Sequence, residues 1–456
     1  MTVHLRSFFS FLFVSMTTLL PFNLYMNAHE YYYYKLRNVS IEDVGSLLTI
    51  KQLLYGSGTE SLAESDSNPT DLQRRYQGWF ALAAGIACIL GALINTLATN
   101  RLSNGFRVLG GHAILILALL PTFIFTFIDT DEDQYQFFIL SLLFASLASF
   151  GSLGLIGSGI TGLAACFPAV YLQATMIGLP IAGVFSSMLS IVIQIFTSDP
   201  ILNGRIYFAV ALSITTISIF CYFLLVRSEY AKLQMDRNDR HHLLNDSSSA
   251  ALLDGDDEAA EEVDGIEGPS VDSLQPIQRP SLREQYTAIM SQAGEEMFLS
   301  SSVLLVSMVV FPAVVSLVQS QSSNPTWRAY FTSICCFLIF NIGDMIGRVG
   351  ANQLSMSLNA LRRVCWLRWL LVPLLLACDV RPRFHSPSLI CSDVVFAVLI
   401  AVLAVSNGVC MTQGCMRAIK AVDVNLRESA GGVLTVFQLS ACLAGSIVSV
   451  AIVALI

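Results

Sequence analysis

The sequence predicts an all-α polytopic membrane protein with about 11 transmembrane helices in a 6 + 5 arrangement. Of its 456 residues, 54% are hydrophobic and only 13% are charged, whereas soluble domains carry about 25% charged residues. The mean hydropathy is +0.64. Apolar stretches recur along the whole chain, and one long hydrophilic segment, 228–295, interrupts them.

Windows of about 20 apolar residues locate the individual spans. The stretch 137–196 is too long for one span, and Pro168 and Pro180 help to divide it. No small-residue cleavage site follows the first apolar run, so we interpret it as a span rather than a signal peptide. The predicted spans are 8–28, 77–98, 107–128, 137–158, 160–196 with a break near Pro168, 203–227, 297–318, 328–350, 364–378, 391–413 and 429–455.

The short connectors predict the orientation in the membrane. The connector 129–136 is acidic and has no Lys or Arg, so the positive-inside rule places it outside the cell. The N-terminus is then cytosolic, and the loop 29–76 is extracellular. That loop contains the sequon Asn38-Val39-Ser40, which predicts glycosylation at Asn38. The basic connectors that face the cytosol contain Arg101 and Arg107, Arg362 and Arg363, and Arg417, Lys420 and Arg427.

The segment 228–295 is predicted to be a disordered cytosolic linker. It contains an acidic run at 254–262 with serines, glycines and prolines around it, a composition that cannot bury a core. The linker separates a six-helix bundle, 1–227, from a five-helix bundle, 296–456. Two bundles joined in this way can rock against each other.

The predicted eighth span carries three polar residues on one helical face. Asn341, Asp344 and Arg348 are spaced i, i+3 and i+7. A charge at the centre of a spanning helix costs about 2.5–3.5 kcal/mol on insertion scales. The presence of two charges in this span therefore indicates a structural or functional role for them. One interpretation is a structural ion pair between Asp344 and Arg348. The other is a polar strip that faces a solute pathway.

Composition and motifs exclude several function classes. The acidic balance, with a net charge of −8, and the lack of a basic patch argue against nucleic acid as a partner. The histidines do not cluster and the cysteines lie in apolar segments without metal-ligand spacing, so we expect no metal and no cofactor. No phosphate loop or nucleophile–base arrangement is present, which argues against an enzyme.

Several motifs together resemble the equilibrative nucleoside transporters (solute carrier family 29). The first span reads Leu-Leu-Pro-Phe-Asn-Leu-Tyr-Met-Asn-Ala, and the eighth reads Phe-Asn-Ile-Gly-Asp-Met-Ile-Gly-Arg, which is the most specific match. The resemblance covers nearly the whole chain. The matching segments are 19–28, 162–171, 311–314, 327–331, 340–348, 406–408 and 428–432.

The resemblance implies a fold similar to the major facilitator superfamily with one helix fewer, and transport of nucleosides, in some members also nucleobases, by alternating access. Phe22 stands where the family has a tryptophan, and the glutamine that many members place in the fourth span has no counterpart at 156–158. The preference for a base therefore stays open. The implied substrate-binding residues are Leu19, Phe22, Met26, Arg107, Phe337, Asn341, Asp344 and Arg348.

The chemistry of the strip agrees with a neutral, hydroxyl-rich substrate such as adenosine or uridine. Asp344 can accept hydrogen bonds from sugar hydroxyls and Arg348 can donate to them, while their charges cancel. One alternative is a proton-linked endolysosomal transporter of nucleosides, nucleobases or monoamines with the same fold. Another is a membrane receptor or scaffold that transports nothing, in which the strip only packs helices.

A sorting signal is predicted in the linker. Asp239 precedes Leu243 and Leu244 by four and five positions, a spacing that resembles the dileucine signals read by sorting adaptors. We expect the lipid bilayer of the plasma membrane as the main location, with an endolysosomal pool, and a sorting adaptor as a partner.

Overall fold

The computed structural model of the chain describes residues 4–37, 70–235, 281–354, 356–381 and 388–455. Within these ranges, ten helices are long and apolar enough to cross a membrane. An eleventh apolar segment consists of shorter helical pieces, so the prediction of about 11 spans in an all-α membrane protein is confirmed. The predicted glycosylation and sorting sites, Asn38 and Asp239, Leu243 and Leu244, lie outside the described residues.

In its described residues, 4–37 and 70–227, the first bundle contains six long helices and the short helix α2. Inside its fourth long helix a π-helical turn, Phe150–Gly157, brings the backbone close to two neighbours. A Cβ atom on Gly154 would lie 2.8 Å from the Cα atom of Gly91, so glycine permits this close approach. The helices are α1 (Leu5–Asn27), α2 (His29–Lys35), α3 (Asp71–Ala98), α4 (Asn104–Phe125), α5 (Gln134–Ala165), α6 (Ala169–Phe196) and α7 (Pro200–Arg227).

The second bundle contains five helical spans. One of them, α10, is interrupted by a 3-10 turn, Arg368–Leu370, at the middle of its length. The helices are α8 (Leu282–Val310), α9 (Pro325–Gln353, with a π-helical part at Thr332–Leu338), α10 (Leu358–Leu367, the 3-10 turn and Leu371–Leu376), α11 (Asp393–Ala421) and α12 (Arg427–Leu455).

The helix boundaries follow from capping residues that an apolar window does not detect. The Ser281 hydroxyl accepts a hydrogen bond from the backbone N–H of Glu284. In return, the Glu284 carboxylate accepts a hydrogen bond from the backbone N–H of Ser281 at 2.9 Å. This capping box starts α8 at Leu282, well before the predicted 297. The predicted linker 228–295 is therefore too long at its end, because charged residues in the first four turns of α8, such as Glu284 and Glu295, hid the helix.

The two bundles meet along the helix halves that the predicted topology assigns to the cytosol, and the contact continues to the middle of the helices. There α12 lies against α3 and α5, and α9 lies against α6. A Cβ atom on Gly431 of α12 would lie 2.7 Å from the Cα atom of Gly162 on α5. The backbones of the two bundles are thus in direct contact at this point, and small residues allow it.

Candidate functional site

The two charged residues of the predicted strip form an ion pair inside α9. Arg348 Nε donates to Asp344 Oδ2 at 2.9 Å, as the i, i+4 spacing allows. Both residues are buried, with 5% of Asp344 and 3% of Arg348 exposed. A pair this deep in the protein needs further hydrogen bonds to offset the desolvation of its charges.

Those hydrogen bonds come from both bundles. On the second bundle, Asn407 Nδ2 of α11 donates to Asp344 Oδ1 at 2.8 Å. On the first bundle, the backbone oxygen of Met176 on α6 accepts from Arg348 Nη1 at 2.8 Å. Gln173 Nε2, one turn earlier on α6, donates to the backbone oxygen of Arg348 at 2.9 Å. The ion pair therefore lies at the contact between the bundles.

Asn341 lies on the same face of α9 and also contacts α6. Its Nδ2 donates to the backbone oxygen of Phe337 at 2.9 Å and to Ser187 Oγ at 3.5 Å. Its side chain packs directly on Gly183 of α6, where any Cβ atom would collide with it. The half-buried ring of Phe337 meets the edge of Phe311, with centroids 5.7 Å apart. Asn341 and Phe337 thus extend the strip toward the side that the predicted topology places outside the cell.

The predicted residues of α1 share one half-buried face. Leu19, Phe22 and Met26 are each partly exposed, whereas Leu20 and Leu24 between them are buried. This i, i+3, i+7 spacing places the three side chains on one face of the helix. The ring of Phe22 is held against Phe80 of α3, with centroids 5.6 Å apart and planes at 32°.

Arg107 has a different position from the other predicted residues. It lies at the start of α4 and forms an ion pair with Glu428 of α12. Its Nη1 also donates to Asn95 Oδ1 at 3.0 Å and to Thr99 Oγ1 at 3.1 Å. Its hydrogen bonds reach none of the other predicted site residues. Arg107 therefore joins the first bundle to the second at the helix ends that the predicted topology assigns to the cytosol.

A third buried guanidinium, besides those of Arg107 and Arg348, was not predicted. Arg368 of α10 is 2% exposed, and its Nη2 donates to Ser307 Oγ of α8 at 2.6 Å. Ser307 in turn donates to Asn407 Oδ1 at 2.8 Å. A chain of hydrogen bonds thus connects Arg368 to Asp344 through Ser307 and Asn407. The available signal was the single arginine in an otherwise apolar span, and the segment 406–408 already belonged to a family motif.

The described residues offer no metal site. No group of three or more His, Cys, Asp or Glu side chains in these ranges could hold a metal ion.

Comparison with solved structures defines the class of protein. The fold is similar to the crystal structure of a bacterial homologue of the iron transporter ferroportin in an outward-facing state, with a TM-score of 0.52, 12% identity and coverage of 99% of this chain and 92% of that chain. At this identity the likeness concerns the fold alone. The protein is a multi-pass membrane protein whose fold is similar to that of this transporter homologue.

Comparison with known sequences identifies the family. A family model described as "Nucleoside transporter" matches residues 142–454, and the chain belongs to that family. Equilibrative nucleoside transporter 1 of Rattus norvegicus is 27% identical over 98% of this chain and 96% of its own length. The same transporter of Homo sapiens is 27% identical over 94% and 92%. Equilibrative nucleoside transporter 3 of Rattus norvegicus is 23% identical over 94% and 84%. The family consists of transporters and not of enzymes.

Proposed function

We propose that the protein carries nucleosides across a membrane, down their gradient, by alternating access of the two bundles. The observation that carries the proposal is the buried Asp344–Arg348 pair, which lies at the contact between the bundles. Membership of the nucleoside transporter family gives the substrate class.

Recognition of the sugar is assigned to the polar strip. Each oxygen of Asp344 accepts one described hydrogen bond, from Arg348 or from Asn407, and a carboxylate oxygen has two lone pairs. Each oxygen can therefore accept a further bond from a ribose hydroxyl. Phe22 on α1 and Phe337 on α9 supply one aromatic face from each bundle for the base.

Release of the substrate into the cytosol requires the bundles to separate where they now touch. Arg348 must leave the backbone oxygen of Met176, and Arg107 must leave Glu428. Tyr286 Oη on α8 also donates to the backbone oxygen of Thr96 on α3 at 3.2 Å. We interpret these bonds as the closure of the cytosolic side, which the binding of substrate must help to open.

The charge of the site argues against the monoamine alternative. Asp344 is already paired with Arg348, and Arg368 adds a second positive charge to the same hydrogen-bonded chain. A cationic amine would require an unpaired carboxylate. A neutral nucleoside meets no such repulsion.

The test is uptake of radiolabelled uridine and adenosine into vesicles that contain the purified protein. We expect saturable uptake that stops at equal concentrations on both sides and is unchanged by a pH gradient. Accumulation above equilibrium with an acidic exterior would favour the proton-linked alternative. Absence of uptake in correctly folded protein would favour the receptor or scaffold alternative. Radiolabelled uracil in the same assay tests whether nucleobases are substrates.

The location is a separate proposal that rests on the sequence. We propose that the protein resides mainly in the plasma membrane, with an endolysosomal pool directed by Asp239, Leu243 and Leu244. Replacement of Leu243 and Leu244 by alanine should move that pool to the surface. An unchanged distribution would show that these residues are not a sorting signal.

Glycosylation is tested at the predicted sequon. Asn38→Gln should abolish a glycosidase-sensitive shift in electrophoretic mobility.

A further inference from the structure

Arg368 is a buried cation without a carboxylate of its own. Its Nη1 donates to the backbone oxygen of Leu403 at 3.0 Å and to the hydroxyl of Ser406. Its Nη2 donates to Ser307 Oγ at 2.6 Å and reaches Asn407 Oδ1 at 3.4 Å. Among the ion pairs of the described ranges, none includes Arg368. A charge that is buried at this cost in a membrane span is a candidate for a functional role.

The position of Arg368 determines which way the amide of Asn407 points. A guanidinium has only donors, so the group of Asn407 that faces Arg368 and Ser307 must be its oxygen. An ionised carboxylate has only acceptors, so the amide nitrogen must face Asp344. The opposite orientation would place a donor against donors at one end and an acceptor against acceptors at the other.

The amide in turn holds the carboxylate of Asp344 in place. Arg348 bonds Oδ2 and Asn407 bonds Oδ1, so one donor fixes each oxygen. Without a fixed Asn407, the carboxylate would be free to turn and take two bonds from the Arg348 guanidinium, since bidentate pairing is favourable. Its oxygens would then no longer point where a substrate hydroxyl could meet them.

We propose that Arg368 is a positioning residue for Asp344, and that it sets how strongly the transporter distinguishes a ribose from a sugar without hydroxyls. This inference rests on the proposed function. Arg368 acts through Ser307 and Asn407 and does not touch the substrate.

The experiment compares initial uptake of uridine and of 2′,3′-dideoxyuridine by vesicles with equal amounts of folded protein. The variants are Arg368→Gln, which removes the charge and the fork of donors, and Ser307→Ala, a smaller change that removes the bridging hydroxyl. Arg363→Gln is the matched control, because Arg363 is an exposed arginine on the same helix. Wild-type protein and the control should prefer uridine.

In Arg368→Gln the KM for uridine should rise about tenfold, the effect of losing a well-placed bond to a charged acceptor. The KM for dideoxyuridine should stay nearly constant, so the preference for uridine is lost. Ser307→Ala should change the preference in the same direction, and it decides the question if Arg368→Gln does not fold. A fall in Vmax that is equal for both substrates, with the preference retained, would overturn the inference. Failure of wild-type protein to transport uridine would instead overturn the proposed function.

Discussion

Replacement of the two charged residues of the site, Asp344 and Arg348, by amides should affect stability and transport differently. In Asp344→Asn the Arg348 guanidinium stays buried, with 3% of the residue exposed, and loses its carboxylate. Removal of one partner of a buried pair costs about 3–5 kcal/mol, because the other charge is left uncompensated. The same reasoning holds for Arg348→Gln. Each single variant should lower the melting temperature of the purified protein by about 5 °C or more.

The double variant Asp344→Asn/Arg348→Gln should recover most of that stability. It has no uncompensated charge, and its amides can still bond each other, Asn407 and the backbone oxygen of Met176. Transport should not recover. Each lost bond between a charged group and a sugar hydroxyl is worth about 1.5–3 kcal/mol, so uridine uptake should fall at least about tenfold.

The assay combines a melting curve in detergent with initial uptake by vesicles, both on the same preparation. Arg363→Gln again serves as control, since it removes an exposed charge from the same bundle. A double variant that is stable and transports uridine at the parental rate would refute a substrate role for the pair. The pair would then serve only to pack α9 in the membrane.

Three further predictions concern the surfaces around the pair. The cysteine of Met26→Cys should react with a small thiol reagent, and excess uridine should slow the reaction. If uridine does not change the reaction rate, Met26 only packs against neighbouring helices. Glu428→Gln should weaken the contact with Arg107. A cysteine introduced on the cytosolic side of the pathway should then be labelled faster. Unchanged labelling would contradict a closing role for the Arg107–Glu428 pair. Gly183→Leu should displace Asn341 and reduce uptake more strongly than Gly110→Leu, a control at a glycine with open space around it.

The sequence was sufficient to predict the features that depend on a single helix. Apolar windows found the spans, and the i, i+3, i+7 spacing of Asn341, Asp344 and Arg348 found one face of α9. The intrahelical pair Asp344–Arg348 was predictable because neighbours at i, i+4 must meet. The family resemblance added α1, whose half-buried face contains Leu19, Phe22 and Met26.

Contacts between helices could not be predicted from the same patterns. Ser307 and Asn407 are small polar residues in apolar spans, and nothing in their spacing says that they face Asp344. The partner of Arg107 is Glu428, which lies more than 300 residues away in the sequence. The hydrogen bonds of Arg368 reach Ser307 of α8 and Leu403 of α11, and a single span does not encode these partners.

Several of the hydrogen bonds that join the bundles have main-chain acceptors. Arg348 donates to the carbonyl of Met176, Gln173 donates to the carbonyl of Arg348, and Tyr286 donates to the carbonyl of Thr96. A carbonyl oxygen is present whatever side chain the residue carries. These bonds tolerate substitution on their acceptor side, so the side chain at position 176 can change while the proposed closure of the bundles is kept.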